Sequence, residues 1–273
     1  MLVGLLVSGA GNPVALQKAN AIVDLGRGAP DIAGAASLDV ERIVGGIPFD
    51  GNEGKVMVWE IDPDEKYRKT IVEGGGNCSN LVFGLARFLQ QSDIDFQIVH
   101  MMRPADFLLG RGHTLVRTRY MYAGREWVGL VDVLAGGLPT KGDRPLDVAD
   151  LTGPIADIDF VVWNGRPGLS EAFFRELPED VVIGWIPRHE VERYFSFLEW
   201  VVVPLPSARL EKYVYDGLAL LLGVFPRIYV TDAAPLRDAG GLQWEFFRAA
   251  LLCFRSAVVV IPLLVWLEWR ERS

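Results

Sequence analysis

Directly after three glycines, Gly74 to Gly76, the chain carries a stretch that fits only one kind of element. From Asn77 to Gln91 the apolar residues Leu81, Val82, Leu85, Ala86, Phe88 and Leu89 recur at i, i+3, i+4 and i+7, the pattern of a helix that buries one face. Asn77 is the natural N-cap, so Cys78 falls in the first turn. Three β-like runs follow at once: Phe96 to Met101, His113 to Tyr122 and Glu126 to Val133, the last two separated by Ala123-Gly124. A helix that feeds straight into a sheet with a hairpin predicts an α+β fold in which that helix packs on the sheet.

The flanking regions read less regularly. Met1 to Val7 is apolar without a basic leader, the first positive charge being Lys18, and is expected as a buried strand rather than a secretory signal. Asn12 and Pro13 start a predicted helix to Leu25. Val56 to Ile61 reads as a strand, and Asp62-Pro63-Asp64-Glu65 as a helix start leading to Val72. Pro139 to Pro154 turns rich in Pro, Gly and charge, which marks a boundary or surface connection. The expected division is a core over residues 1–150 and a mainly helical region over 151–273. In the latter, a short strand is expected at Phe160 to Trp163. Helices are expected from Ser170, from Arg188 with Tyr194, Phe195, Phe197 and Trp200 turned to the core, from Ser207 to a C-cap at Gly223, and from Leu242 onward.

With 27 Lys+Arg against 35 Asp+Glu the formal charge is −8, which argues against a nucleic-acid partner. Cys78 and Cys253 are the only cysteines, so no disulfide framework organises the fold. Together with three histidines at wide spacing they write no metal-ligand cluster, and neither metal nor cofactor is expected. The apolar stretch Ala249 to Trp269 is interrupted by Arg255, Ser256 and Glu268 and contains Pro262. Its unbroken part, Ala257 to Leu267, is shorter than the about 20 residues a spanning helix needs. A helix buried within the domain or against a partner is therefore the first expectation, and membrane association the second. Arg270 and Arg272 would sit outside if the domain stays cytoplasmic, against the usual preference for positive charge inside.

Chemistry concentrates on three residues. A helix start favours thiolate, since its unpaired N–H groups carry partial positive charge, so Cys78 has the position of a nucleophile rather than of a core cysteine. If Tyr122 faces Arg125, paired positions put His113 opposite Leu134 and leave Asp132 on the same face at bridging distance. An imidazole held by a carboxylate is a general base with a fixed tautomer. Cys253 is expected as packing, and His100 and His189 as local or solvated side chains.

Gly74-Gly75-Gly76-Asn77-Cys78 at a helix start, His113 opening a strand, and Asp132 in Trp127-Val128-Gly129-Leu130-Val131-Asp132-Val133 resemble the transglutaminase-like branch of the papain-like superfamily, over residues 74–139. The resemblance implies a papain-like core and a catalytic triad of Cys78 as nucleophile, His113 as base and Asp132 as orienter. It also implies acyl transfer or hydrolysis on a peptide, protein or other amide or ester substrate through a thioester. The family includes catalytically dead relatives, so an inactive binding module in a membrane-associated or multi-protein assembly stays open beside the enzyme. For the oxyanion hole the sequence offers only Trp59 and Asn77 beside the Cys78 N–H. The segment is also similar to arylamine N-acetyltransferases, which would need acetyl-CoA, although the arginine and phenylalanine of that family's signatures are absent here.

Overall fold

The computed structural model describes residues 22–24, 29–49, 57–102, 112–152, 158–164, 170, 174, 181–201 and 203–230, and 248–270 apart from 250, 254, 258, 259 and 263. Strand β1 (Ile22–Asp24) stands where the sequence suggests the end of a helix, and the rest of that helix and the Met1 to Val7 run lie outside the described residues. After β2 (Leu38–Asp39) and the short helix α1 (Val40–Val44), α2 (Pro63–Tyr67) begins as expected: the Asp62 carboxylate caps the Glu65 N–H at 2.8 Å, with proline at the first helical position. A π-helical turn (Arg68–Val72) extends it to the glycine break. Helix α3 (Cys78–Gln91) follows with Asn77 as its cap. It lies so close to the π turn that a Cβ on Gly84 would meet Thr70 Oγ1 at 1.9 Å.

Then come β3 (Phe96–Met102), β4 (His113–Tyr122) and β5 (Arg125–Val131). Ala123 and Gly124 have φ values of 50° and 72°, the two positive angles of a type I′ turn, whose twist matches its strands. Tyr122 accordingly faces Arg125 and Val116 faces Val131, the register expected from the sequence. Alternation along these strands builds two cores. Ile98, Val116 and Val131 face Leu81, Leu85 and Leu89 of α3, while Val99, Leu115 and Leu130 face Leu146, Leu151 and Phe174. A slip of one residue would exchange the two sets, so burial on both faces fixes the register.

Downstream the structure adds strands that the sequence reading does not have. Residues 139–152, the described part of the expected boundary, are not a surface connection. Strand β6 (Gly137–Lys141) turns through Gly142 into β7 (Arg144–Pro145), a 3-10 turn follows (Val148–Thr152), and β8 (Asp159–Val162) pairs with β6 in a second sheet. Nor does the main sheet stop near residue 150. Strand β9 (Val182–Pro187) pairs antiparallel with β3, and β10 (Ile228–Val230) lies between β9 and β1. The order is β1-β10-β9-β3-β4, with β2 and β5 also on β4, and residues on both sides of position 150 share one core.

Helix α4 (Arg188–Val201) starts where expected, and α5 (Ala208–Leu222) starts and stops as expected, between Ser207 as N-cap and Gly223 in the left-handed conformation. Tyr194, Phe195 and Phe197 are buried, but Trp200 is 83 % exposed. Only Ser170 and Phe174 of the helix expected from Ser170 are described. Helix α6 (Leu251–Arg270) closes the chain's described part. The result is a mixed α and β architecture with helices against a largely antiparallel sheet.

Candidate active site

The site begins at the glycine break. Gly76 takes φ of 102°, which turns the chain into Asn77, and Asn77 Oδ1 accepts the Asn80 N–H at 2.9 Å. Asn80 answers by accepting the Asn77 N–H at 3.3 Å, a reciprocal cap that satisfies two of the helix's orphan donors. The same Asn80 amide accepts the Val58 N–H and donates to the Val58 carbonyl, both at 3.0 Å. Residues 57–61 therefore form no strand ladder: at Val58 the backbone groups of the expected strand go to one side chain. Replacing Asn80 with alanine strands both Val58 groups and the Asn77 N–H in a buried setting. At about 1–3 kcal/mol for each such group, partly relieved by water, the expected loss is about 2–4 kcal/mol. Urea unfolding of the variant against the native chain measures it.

With the segment clamped, Cys78 sits half-buried at the first position of α3. Its thiol faces the His113 imidazole and the Thr114 backbone N–H, both of which favour the thiolate. His113 Nε2 in turn lies 2.6 Å from Asp132 Oδ2. Asp132 is fully buried just beyond β5, and its Oδ1 accepts the Ala135 N–H at 3.0 Å. The Phe174 ring meets the imidazole edge-on, with centroids 5.9 Å apart. The structure thus brings together all three residues that the sequence singled out, each through the feature that singled it out: the helix start, the strand start and the hairpin parity.

The electrostatics are those of an ion pair. Burial disfavours the imidazolium, but the Asp132 charge and hydrogen bond, with a further contribution from the Cys78 thiolate, push His113 up to about 10. Burial also pushes the Cys78 thiol up. The hydrogen bond and positive charge of His113 and the Thr114 N–H outweigh it and hold the thiol below its ordinary value. Near neutral pH the arrangement favours thiolate beside imidazolium, the form that attacks carbonyl carbon.

Cys78 and His113 open into a cavity of about 220 Å³, walled on one side by Phe83, Tyr194, Phe195 and Phe225. Asn77 lines it. Trp59 does not: its ring packs on Tyr213, with centroids 5.9 Å apart, and beneath the Arg209 guanidinium at 5.0 Å. His100 lines the cavity although no neighbour in sequence singles it out. β3 pairs it with Thr114, whose hydroxyl lies 3.3 Å from His100 Nδ1. An antiparallel pairing of the two runs would have placed it beside His113, but that register is set by residues too far apart to read. His189 is exposed, and Cys253 is exposed on α6. Among the described residues no group of three or more His, Cys, Asp or Glu side chains converges as a metal site would require. No family model, curated protein or solved structure matches the chain.

Proposed function

We propose that the chain is a cysteine-dependent acyltransferase or hydrolase on a transglutaminase-like, papain-like core. Cys78 is its nucleophile, His113 its acid and base, and Asp132 the residue that orients the imidazole. The observation that carries this reading is the juxtaposition of Cys78 and His113 on one cavity, with His113 hydrogen-bonded to the buried Asp132 at 2.6 Å. A cysteine at the start of a helix packed on an antiparallel sheet, facing histidine and aspartate from neighbouring strands, also supports the family resemblance.

In the reaction the thiolate bonds to the carbonyl carbon of an amide or ester, and the carbonyl electron pair moves onto oxygen. The Cys78 N–H, one of the helix's unpaired donors, stabilises that oxyanion, with Asn77 beside it. His113 then gives its proton to the leaving nitrogen or oxygen as the old bond breaks, and a thioester remains. Water or an amine attacks next, His113 takes its proton, and the carbon–sulfur bond breaks to return the thiolate. None of these steps uses a cofactor.

Iodoacetamide tests the reading in a Cys253→Ser background. An ordinary thiol near pKa 8.5 reacts about tenfold faster per pH unit below that value, so about 100-fold between pH 6 and 8. Cys78 is expected to rise far less over that range, because much of it is already thiolate. A full 100-fold rise would leave the protein as an inactive binding module.

Helix α6 supports a second element of the proposal, attachment of the domain to the cytoplasmic face of a membrane. Only 7 % of its most apolar window is buried, so among the described residues the fold does not cover it, and burial within the domain, one form of the first expectation, is not what the structure has. Its 20 residues span about 30 Å, the thickness of a bilayer's hydrocarbon core. Arg255 near its start is tethered, donating from Nε and Nη2 to the Leu220 carbonyl at 3.1 and 2.8 Å. Trp266 near its end lies under the Arg270 guanidinium, an arrangement suited to a headgroup layer. The intact chain should stay with carbonate-washed membranes, and a chain ending at Gly241 should be soluble and folded. Release of the intact chain by carbonate would reject attachment.

A further inference from the structure

The cavity that holds Cys78 and His113 is also lined by two ammonium groups, Lys66 and Lys212. Lys212 is matched: it lies 2.6 Å from Oδ2 of Asp216, a fully buried carboxylate whose Oδ1 accepts the Tyr194 hydroxyl. Lys66 is not matched. It is 8 % exposed, and among the described residues its side chain makes no hydrogen bond and no ion pair within 4 Å. Of the carboxylates that act on it, Glu60 is bound by Lys69 and Asp216 by Lys212. Lysine is almost never buried unless paired, because its charge loses hydration without recompense. Burial and the neighbouring Lys212 push the Lys66 ammonium down to about 7, against the pull of Asp216 and Glu60. With Lys66 protonated, the two ammonium groups outnumber the one carboxylate that Lys212 binds, and this corner of the cavity complements a monoanion, whose own charge would in turn favour the protonated lysine.

We propose that Lys66 and Lys212 form an anion subsite of the Cys78 cavity, and that the acyl group delivered to Cys78 carries a carboxylate that this subsite holds. The inference rests on the reading of Cys78 as nucleophile and adds to it the substrate class. The apolar wall formed by Phe83 and Phe195 suits the methylene chain between the carboxylate and the reacting carbonyl. A single excess positive charge suits a carboxylate better than a phosphate monoester, which carries about −1.5 to −2 charges at neutral pH.

The test compares acylation of Cys78 by the mono-p-nitrophenyl esters of adipic, pimelic and suberic acids with that by p-nitrophenyl alkanoates of the same chain lengths. Acyl-enzyme mass and p-nitrophenol release are the readouts. The best carboxylate ester is expected to react at least tenfold faster than its neutral counterpart, and that ratio should fall to about one in both Lys66→Met and Lys66→Gln. A ratio near one in the native chain overturns the subsite and leaves the nucleophile standing. If no ester acylates Cys78, the reading of Cys78 falls and adipate binding decides the subsite by itself. A rise in Tm with adipate that Lys66→Met removes would uphold it, and no rise in the native chain would reject it.

Discussion

Replacing Cys78 with alanine is expected to lower acyl transfer by a factor on the order of 10⁴ to 10⁶, read as loss of the p-nitrophenol burst and of the acyl-enzyme mass. The effect is this large because the remaining groups stabilise a charge that no longer forms. His113 and the Cys78 N–H act only on bonds made by the sulfur. Cys78→Ser should lose nearly as much. A hydroxyl holds its proton far more tightly than a thiol, so the His113 and Thr114 contacts that keep the thiolate cannot keep an alkoxide. The serine variant should stay folded with little loss of stability, since the helix start and its Asn77 cap are untouched. The alanine variant gives a second readout. Without the thiolate, His113 should titrate below about 10 by NMR yet stay above its ordinary value, because Asp132 remains. Turnover retained in both variants would place the nucleophile elsewhere.

Those three residues were legible because each is fixed by a local rule. Periodicity and Asn77 fix the start of α3, the Ala123-Gly124 pair fixes the hairpin register, and parity then carries Asp132 to His113. What stayed hidden depends on partners distant in sequence. Val182–Pro187 and Ile228–Val230 are short, largely buried runs beside prolines, without the alternation that marks a half-exposed strand. Only their pairing with β3 and with each other makes them strands. Asn80 looks like an ordinary residue in a first helical turn, and its role appears only when Val58 is brought against it. Lys66 carries no signal in the sequence beyond its place after a helix start, whereas α5 brings Lys212 and Asp216 beside it and leaves it lining the cavity. Trp59 was misread for a related reason. Without a ladder at 57–61, its ring is free to join Tyr213 and Arg209.

Asp132→Asn should separate charge from shape. The asparagine Oδ1 can still accept the Ala135 N–H, so the turn after β5 keeps its anchor while the carboxylate charge beside His113 disappears. Activity is expected to fall by a factor on the order of 10⁴, less than for loss of the nucleophile, because a misoriented imidazole still works part of the time. Stability should fall too, and with a definite pH dependence. In the native chain His113 binds its proton more tightly folded than unfolded, about 10 against 6.5. The stabilisation from that proton is complete below about pH 6.5 and is lost as pH rises through about 10. The variant must instead bury an imidazolium without its carboxylate at low pH, or release the proton. Its deficit is therefore greatest at pH 5 to 6.5, about 3–5 kcal/mol by analogy with other broken buried pairs, and shrinks toward pH 10. Urea unfolding of both proteins at pH 6 and pH 9.5 measures the difference. An equal deficit at the two pH values would mean that Asp132 supports the fold through its hydrogen bonds alone, and that the charge on His113 has another source.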